Sequence, residues 1–237
     1  MFSVIFEVHP YDGKKDDYLD MAKDLKPHLE KIDGFVDNER FESKLKPGWV
    51  LSHSTWRDEK SVVRWRTLGE HHHAQAEGRV KIFQDYHLRV GDVVADTDPP
   101  KEAPIQERRF DETEIGSKIA TFTEITPIKD AAFATQVDLL PAHLGLDLTS
   151  GAIADHDVYA SIYNLGKLAL LVAWKDPKAA NAWMPKKIDG IQTLRHRRVR
   201  VVRDYGRFDR REAPQFYPDV KDGETKHPEP KHPEPAH

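Results

Sequence analysis

The sequence contains no cysteine. This absence excludes thiolate catalysis, disulfide bonds, iron–sulfur clusters and cysteine-ligated zinc, and it is compatible with a reducing compartment. No apolar run approaches the roughly 20 residues that a membrane-spanning helix needs, and the N-terminus lacks the basic and apolar segments of a signal peptide. We therefore expect a soluble, cytoplasmic protein without a membrane partner.

Neither sign of charge dominates the chain. The 36 Lys and Arg residues against 40 Asp and Glu give a net charge of −4, which offers no electrostatic reason to expect nucleic acid as a partner. The hydrophobic content of 38% is low for a globular protein, in part because of a polar C-terminal tail. The length of 237 residues suits two small domains of about 100 residues each better than one large domain.

A pair of tryptophans recurs along the chain with constant spacing. Trp56 and Trp65 are followed, 118 positions later in each case, by Trp174 and Trp183. In each pair the first tryptophan ends a predicted apolar strand, and the second lies in the predicted helix that follows after a charged turn. Such a register, held over more than a hundred residues, indicates an internal duplication.

The hydrophobic periodicity of each copy predicts the order βαββαβ, with two-residue alternation in the strands and three-to-four spacing in the helices. We expect an α+β protein in which two ferredoxin-like domains pack sheet to sheet as an α+β barrel, because each sheet has one face without helices. Pro27 is expected to kink the first helix or to split its last turn. The predicted helices are Asp16–Ile32, Glu59–His73 and, with a poorer pattern, Asp130–Leu144.

The duplication and a proline-rich charged run suggest four segments. A first domain spans residues 1–95, a linker 96–117, a second and diverged domain 118–205, and a strap with a mobile Pro- and His-rich tail 206–237. We expect the two domains to form an intrachain pseudo-dimer. Whether chains pair further is left open.

The first copy resembles the antibiotic biosynthesis monooxygenase domain family. The residues that carry the resemblance are KPHLEKIDGF at 26–35, STWRDEKSVVRW at 54–65, HHHAQAEGR at 71–79 and Tyr86. It covers about residues 1–95 well and 118–205 weakly. The resemblance implies a dimeric α+β barrel and, as in characterised members, oxygenation of a small aromatic or quinol-like molecule by O2 without metal or flavin. It fixes the fold more firmly than the activity.

One branch of that family binds and degrades heme, which makes heme an alternative cofactor. Trp65 matches the helix tryptophan of that branch, but Ala74 and Gln75 stand where the branch has its proximal histidine. Phe6 and Glu7 stand where it has a strand asparagine. We therefore expect no cofactor and no bound metal. A non-catalytic module that binds a small ligand or responds to stress is a further alternative.

The triple histidine His71-His72-His73 is the most conspicuous chemical feature of the sequence. Successive helical positions point about 100° apart, so the three rings cannot converge on one ion and at most one faces a cavity. We expect His72 or His73 to face it and to act as the general base that deprotonates the substrate. A polar helix end with solvated histidines is the plainer structural interpretation.

Glu7 lies on the mixed face of the first strand, and Glu124 is its counterpart in the second copy. Glu7 is expected to be the second polar group of the site, beside the histidine, and could act as a base with a raised pKa. A structural ion pair with an arginine is the alternative explanation. The substrate pocket is expected to include Phe6, His9, His53, Trp65 and His71.

Overall fold

The computed structural model of the protein describes residues 1–129 and 131–215. Eight strands form its framework: β1 (Phe2–Pro10), β2 (Phe35–Ser43), β3 (Val50–Trp56), β4 (Phe83–Asp96), β5 (Ile119–Pro127), β6 (Ile153–Ser161), β7 (Leu168–Trp174) and β8 (Ile191–Gly206). The helices are α1 (Lys15–Leu29), α2 (Glu59–Thr67), α3 (Gly69–Glu77), α4 (Leu140–His143) and α5 (Pro177–Ala182). The two Lys-His-Pro-Glu-Pro repeats of the predicted tail lie outside the described residues.

The strands close into one antiparallel barrel in the order β1-β3-β2-β6-β7-β5-β8-β4. Each half of the chain contributes four strands, and two seams join the halves, one between β2 and β6 and one between β4 and β8. At the second seam a Cβ on Gly91 would lie 2.0 Å from the carbonyl oxygen of Arg200. Only glycine permits this approach, so Gly91 is needed for closure of the barrel.

The duplication is visible in the strand register. Phe2 lies opposite Trp56 in the first half, and Ile119 lies opposite Trp174 in the second. This confirms the predicted fold class, two ferredoxin-like units packed sheet to sheet as an α+β barrel.

Alternation along each strand divides the side chains between two buried environments. One set points towards the helices, and the other fills the space between the two sheets. The inter-sheet core joins apolar side chains from both halves, among them Ile5, Phe41, Leu51, Phe122 and Leu171. Each such side chain contributes about 1.5–3 kcal/mol when fully buried, which makes this core the main attraction between the halves.

A buried charged cluster also connects the two sheets. The Glu7 carboxylate accepts hydrogen bonds from Arg89 Nη1 and from the Tyr159 hydroxyl of the second half, both at 2.7 Å. Burial, followed by the negative charge of Glu7, raises the pKa of Tyr159. Glu124 occupies the corresponding place in the second half and forms ion pairs with Arg197 and Lys167. Both glutamates therefore have structural cationic partners.

Next to Arg197, the His53 ring stacks on Phe122 with 4.4 Å between centroids. Arg197 Nη1 lies 3.3 Å from His53 Nδ1, and Ser3 Oγ lies 2.9 Å from Nε2. Because a guanidinium can only donate, Nδ1 accepts and Nε2–H donates to Ser3. Burial, followed by the positive charge of Arg197, lowers the pKa of His53 well below its ordinary value. The ring is therefore a neutral member of the inter-sheet core.

Helices α1, α2 and α3 cover the outer face of the first sheet, with two departures from expectation. The predicted helix Glu59–His73 is interrupted at Leu68, whose backbone is extended (ψ 131°), and it restarts at Gly69. At Pro27, α1 continues without a break but ends at Leu29, three residues before the predicted end at Ile32. Pro27 lies in the last turn, where the proline disturbs only the end of the helix. None of the helices in residues 1–129 and 131–215 is long and apolar enough to cross a membrane.

The second half lacks a long first helix. The described part of the predicted helix Asp130–Leu144 forms two 3₁₀ turns followed by the four-residue α4. Pro141 at the start of α4 supplies no backbone N–H to a preceding helical turn, which explains why α4 does not extend backwards. The buried side chains Phe133, Leu140, Leu144 and Leu146 pack directly on the second sheet.

We predict that Glu7→Gln lowers the free energy of unfolding by about 3 kcal/mol, because it leaves the buried Arg89 without its closest charge partner. Urea denaturation at pH 7 measures this. Glu42→Gln is the matched control, since Glu42 pairs with Lys15 at the partly exposed surface and should change stability by less than about 1 kcal/mol. Wild-type stability in Glu7→Gln would contradict a structural role for Glu7.

We also predict that acid destabilises the protein through its buried histidines. Burial lowers the pKa of His196 from 6.5 to about 4, so below pH 6.5 the unfolded chain binds protons that the folded chain does not. The free energy of unfolding should therefore fall as pH decreases from 6.5 towards 4, by about 1.4 kcal/mol per pH unit for each such histidine. His196→Gln should reduce this slope in urea denaturation, whereas His28→Gln, at an exposed position, should not. If the free energy of unfolding depends on pH equally in both variants, His196 is not a source of the acid destabilisation.

Candidate active site

A cavity of about 200 Å³ lies between the first sheet and the helices α1, α2 and α3. The alternation of β1 and β4 directs every second residue into its floor, and the inner faces of the three helices form its roof. Most of its wall is apolar. The apolar lining includes Val4, Phe6, Leu88 and Val90 from the sheet, with Met21, Leu25, Val62 and Trp65 from the helices.

His71 and Trp65 form one side of this cavity. Their rings stack with 4.0 Å between centroids and an interplanar angle of 15°. His71 Nδ1 lies 2.9 Å from the Trp65 carbonyl oxygen. Because a carbonyl only accepts, Nδ1 carries the proton and Nε2 keeps a lone pair. Burial lowers the pKa of His71 from 6.5 to about 4, so the imidazole is neutral at pH 7 and able to accept a proton or a hydrogen bond.

The structure places His71, rather than His72 or His73, in the cavity wall. His72 and His73 are exposed, so the prediction that one of them faces the cavity is wrong. The break at Leu68 is the physical reason, because it resets the helical phase and α3 begins afresh at Gly69. The break also leaves room for the His71 ring to fold back onto Trp65.

The other predicted site residues separate into two groups. Phe6 and Trp65 line the cavity together with His71. Glu7 and His53 point to the opposite face of the sheet and are buried between the two halves. His9 stacks on Trp49 at 5.3 Å between centroids and does not line the cavity. Strand alternation explains the separation, since residues one position apart point to opposite faces.

Tyr86 adds a polar group that the sequence analysis did not assign a role. Its phenol oxygen accepts a hydrogen bond from Arg79 Nη1 and another from Arg210 Nη1, both at 2.7 Å. Two guanidinium donors thus occupy the acceptor side of the oxygen, which leaves its own O–H as a donor in a residue that lines the cavity. Arg79 and Tyr86 both belong to the motif that carries the family resemblance, and that motif was the available signal. Arg210 lies far away in the sequence and gave none.

The C-terminal strap, residues 207–215, closes this side of the cavity. The buried Arg207 donates to the backbone carbonyl of Arg79 at 2.7 Å and also to that of Phe83. Gln215 reaches the backbone carbonyl of Arg66 at 3.4 Å. Arg210, Pro214 and Gln215 therefore complete the lining from the far end of the chain.

The charges of the cavity wall are unbalanced. Glu59 is the sole carboxylate among the described lining residues, and it forms an ion pair with Arg109 at 2.6 Å. The lining arginines are Arg40, Arg66, Arg79, Arg203 and Arg210. The wall is therefore apolar over most of its area and cationic elsewhere.

The helix residues around His71 offer no ligand at the positions expected for a heme-binding histidine. Ala74 is buried without a donor atom, and the Gln75 amide nitrogen lies 3.1 Å from His71 Nδ1. Within residues 1–129 and 131–215, no group of three or more His, Asp or Glu residues is arranged to hold a metal ion.

The sequence of the chain matches a known protein family and a known relative. The sequence model of the family described as "antibiotic biosynthesis monooxygenase" matches residues 1–77. A jasmonate monooxygenase from the fungus Pyricularia oryzae is 39% identical over 225 residues, which cover 92% of this chain and 99% of the relative.

Solved structures with a similar fold include putative monooxygenases from two bacteria. The protein from Fusobacterium nucleatum is 11% identical, with a TM-score of 0.39 over 86% of this chain and 93% of the other. The protein from Lactobacillus acidophilus is 9% identical, with a TM-score of 0.37 over 86% and 94%. On the extent and identity of the fungal match, the chain belongs to the antibiotic biosynthesis monooxygenase family.

Proposed function

We propose that the protein is a monooxygenase that oxidises jasmonate, or a closely similar cyclopentanone acid, in the cavity of its first half. The observation that carries this proposal is the apolar cavity of about 200 Å³, with a neutral histidine and a phenol in its wall. The fungal jasmonate monooxygenase, matched over 99% of its length, supports the substrate class. The aromatic or quinol-like substrate expected from the family resemblance is therefore not retained.

The chemistry of jasmonate suits this lining. Its five-membered ring and pentenyl chain are apolar and match the wall formed by Val4, Leu88, Val90 and Trp65. Molecular oxygen is also apolar and partitions into such an environment. The ring ketone and the carboxylate are the polar groups, and each requires a hydrogen-bond partner when it leaves water.

His71 and Tyr86 are suited to complementary roles. The C–H bond next to the ketone is the most acidic bond of the ring, and His71 Nε2 can accept its proton. The resulting enolate carries its charge on oxygen, where the Tyr86 O–H can donate a hydrogen bond. Arg79 and Arg210, which both donate to the phenol oxygen, fix its position.

The electrons of the reaction can be accounted for in two ways. If a CH₂ group becomes a carbonyl, one oxygen atom enters the substrate, the other leaves as water, and the substrate supplies every electron. If the product is an alcohol, a separate two-electron reductant, such as a reduced nicotinamide or flavin, must accompany O2. Oxygen uptake with and without such a reductant distinguishes the two routes.

We predict that His71→Ala lowers kcat for jasmonate by about 10²–10⁴-fold, the contribution typical of a positioned general base. Oxygen uptake and mass spectrometry of the product measure this. His72→Ala is the matched control, since His72 is the exposed neighbour in the same histidine run, and its kcat should remain within about twofold of wild type. Loss of activity in His72→Ala with retention in His71→Ala would contradict the assignment.

The same assay tests the proposed class of protein. Jasmonate should be consumed together with O2, with or without added reductant. Binding of jasmonate without oxygen uptake under either condition would contradict the proposal and favour a ligand-binding module.

A further inference from the structure

Three of the cavity arginines have no ion-pair partner among the described residues. Arg40, Arg66 and Arg203 line the cavity and form no salt bridge there. The Nε atoms of Arg66 and Arg40 are both buried and have no hydrogen-bond partner there. Arg40 lies apart on β2, over the Tyr18 ring, whereas Arg66 and Arg203 act electrostatically on the same phenol, that of Tyr205. A buried guanidinium donor without an acceptor is costly, which points to an acceptor supplied by a ligand.

These two arginines meet at Tyr205. Arg203 and Tyr205 are two positions apart on β8 and therefore share the face that lines the cavity. Arg66 lies at the end of α2, above them. Burial raises the pKa of Tyr205 to about 12, and the nearby positive charges of Arg66, Arg210 and Arg203 oppose that rise. Three cationic groups thus lie within electrostatic range of one phenol, and Arg210 lies 5.6 Å from the centroid of its ring.

Acidic side chains on this side of the protein already have other partners. Asp111, which lies within electrostatic range of Arg203, forms an ion pair with Arg109. Glu212 accepts hydrogen bonds from the Thr113 hydroxyl and from the backbone N–H groups of Glu114 and Asp204. Neither carboxylate neutralises the cluster around Tyr205.

Residues paired across neighbouring strands connect this cluster to the apolar part of the cavity. Val90 on β4 lies opposite Arg203, and Val4 on β1 lies opposite Val90. At about 4.8 Å between neighbouring strands, Val4 is roughly 10 Å from Arg203. The floor therefore changes from cationic to apolar along one line, as an amphipathic acid requires.

We propose that Arg66 and Arg203, on either side of Tyr205, bind the carboxylate of the substrate and so select free acids over their esters. This assignment rests on the proposed function for the identity of the acid. Guanidinium groups match a carboxylate by paired, charge-assisted hydrogen bonds. The bound carboxylate fixes one end of the molecule at the edge formed by β8 and directs the remainder over Val90 and Val4.

The test compares jasmonate with its methyl ester, which has the same apolar body and no charge. Dissociation constants from calorimetry and KM values are measured for wild type, Arg203→Gln and Arg66→Gln. Each variant should weaken binding of the acid by roughly 10–100-fold, the effect of losing a hydrogen bond to a charged group. Binding of the ester should change by less than about threefold. Arg203→Lys, which keeps the charge, should recover part of the preference for the acid.

Arg40→Gln is the matched control, because Arg40 lines the cavity on β2 and contacts the Tyr18 ring at 5.9 Å. It should affect the acid and the ester alike. The inference is overturned if Arg203→Gln and Arg66→Gln weaken both ligands equally, or if Arg40→Gln alone removes the preference for the acid. If wild type oxidises neither ligand, the proposed function fails, while the difference in dissociation constants still decides where the carboxylate binds.

Discussion

The structure depends on the burial of each bare sheet face against the other. Helices cover only one face of a four-stranded ferredoxin-like sheet. In the first half the opposite face carries Ile5, Leu51 and Phe41. Closure of the barrel removes these residues from water, and it also buries charged groups that must then find partners. Glu7 with Arg89 and Glu124 with Arg197 meet that requirement twice, once in each half.

Because the inter-sheet face has this structural task, we assign the proposed chemistry to the outer face of a sheet. The outer face of the sheet is covered differently in the two halves. In the second half the short turns after β5 bring Phe133, Leu140 and Leu144 down onto the sheet and fill the space. In the first half the longer helices α1, α2 and α3 remain above the sheet, and a cavity is left beneath them. The second half thus serves as the partner that completes the barrel.

The fold could be predicted further than the site. The tryptophan pairs, repeated at a constant spacing, were sufficient for the duplication, and the uncovered face of each predicted sheet was sufficient for the barrel. The helix break at Leu68 determines which histidine of the run faces the cavity, and no proline marks that break in the sequence. The roles of Arg203, Tyr205 and Arg210 depend on the closing strand and the strap, which reach the first half from more than a hundred residues away. The domain boundaries drawn from the sequence remain a prediction.

The central claim is that one cavity, in the first half, holds the substrate. A crystal structure of the protein with bound jasmonate tests it most directly. We expect a single molecule per chain between the first sheet and α2, with its ring beside His71 and its carboxylate at Arg66 and Arg203. A molecule bound between the two sheets, on the second half, or in the cavity with its carboxylate at Arg40 would show that the substrate site is assigned wrongly.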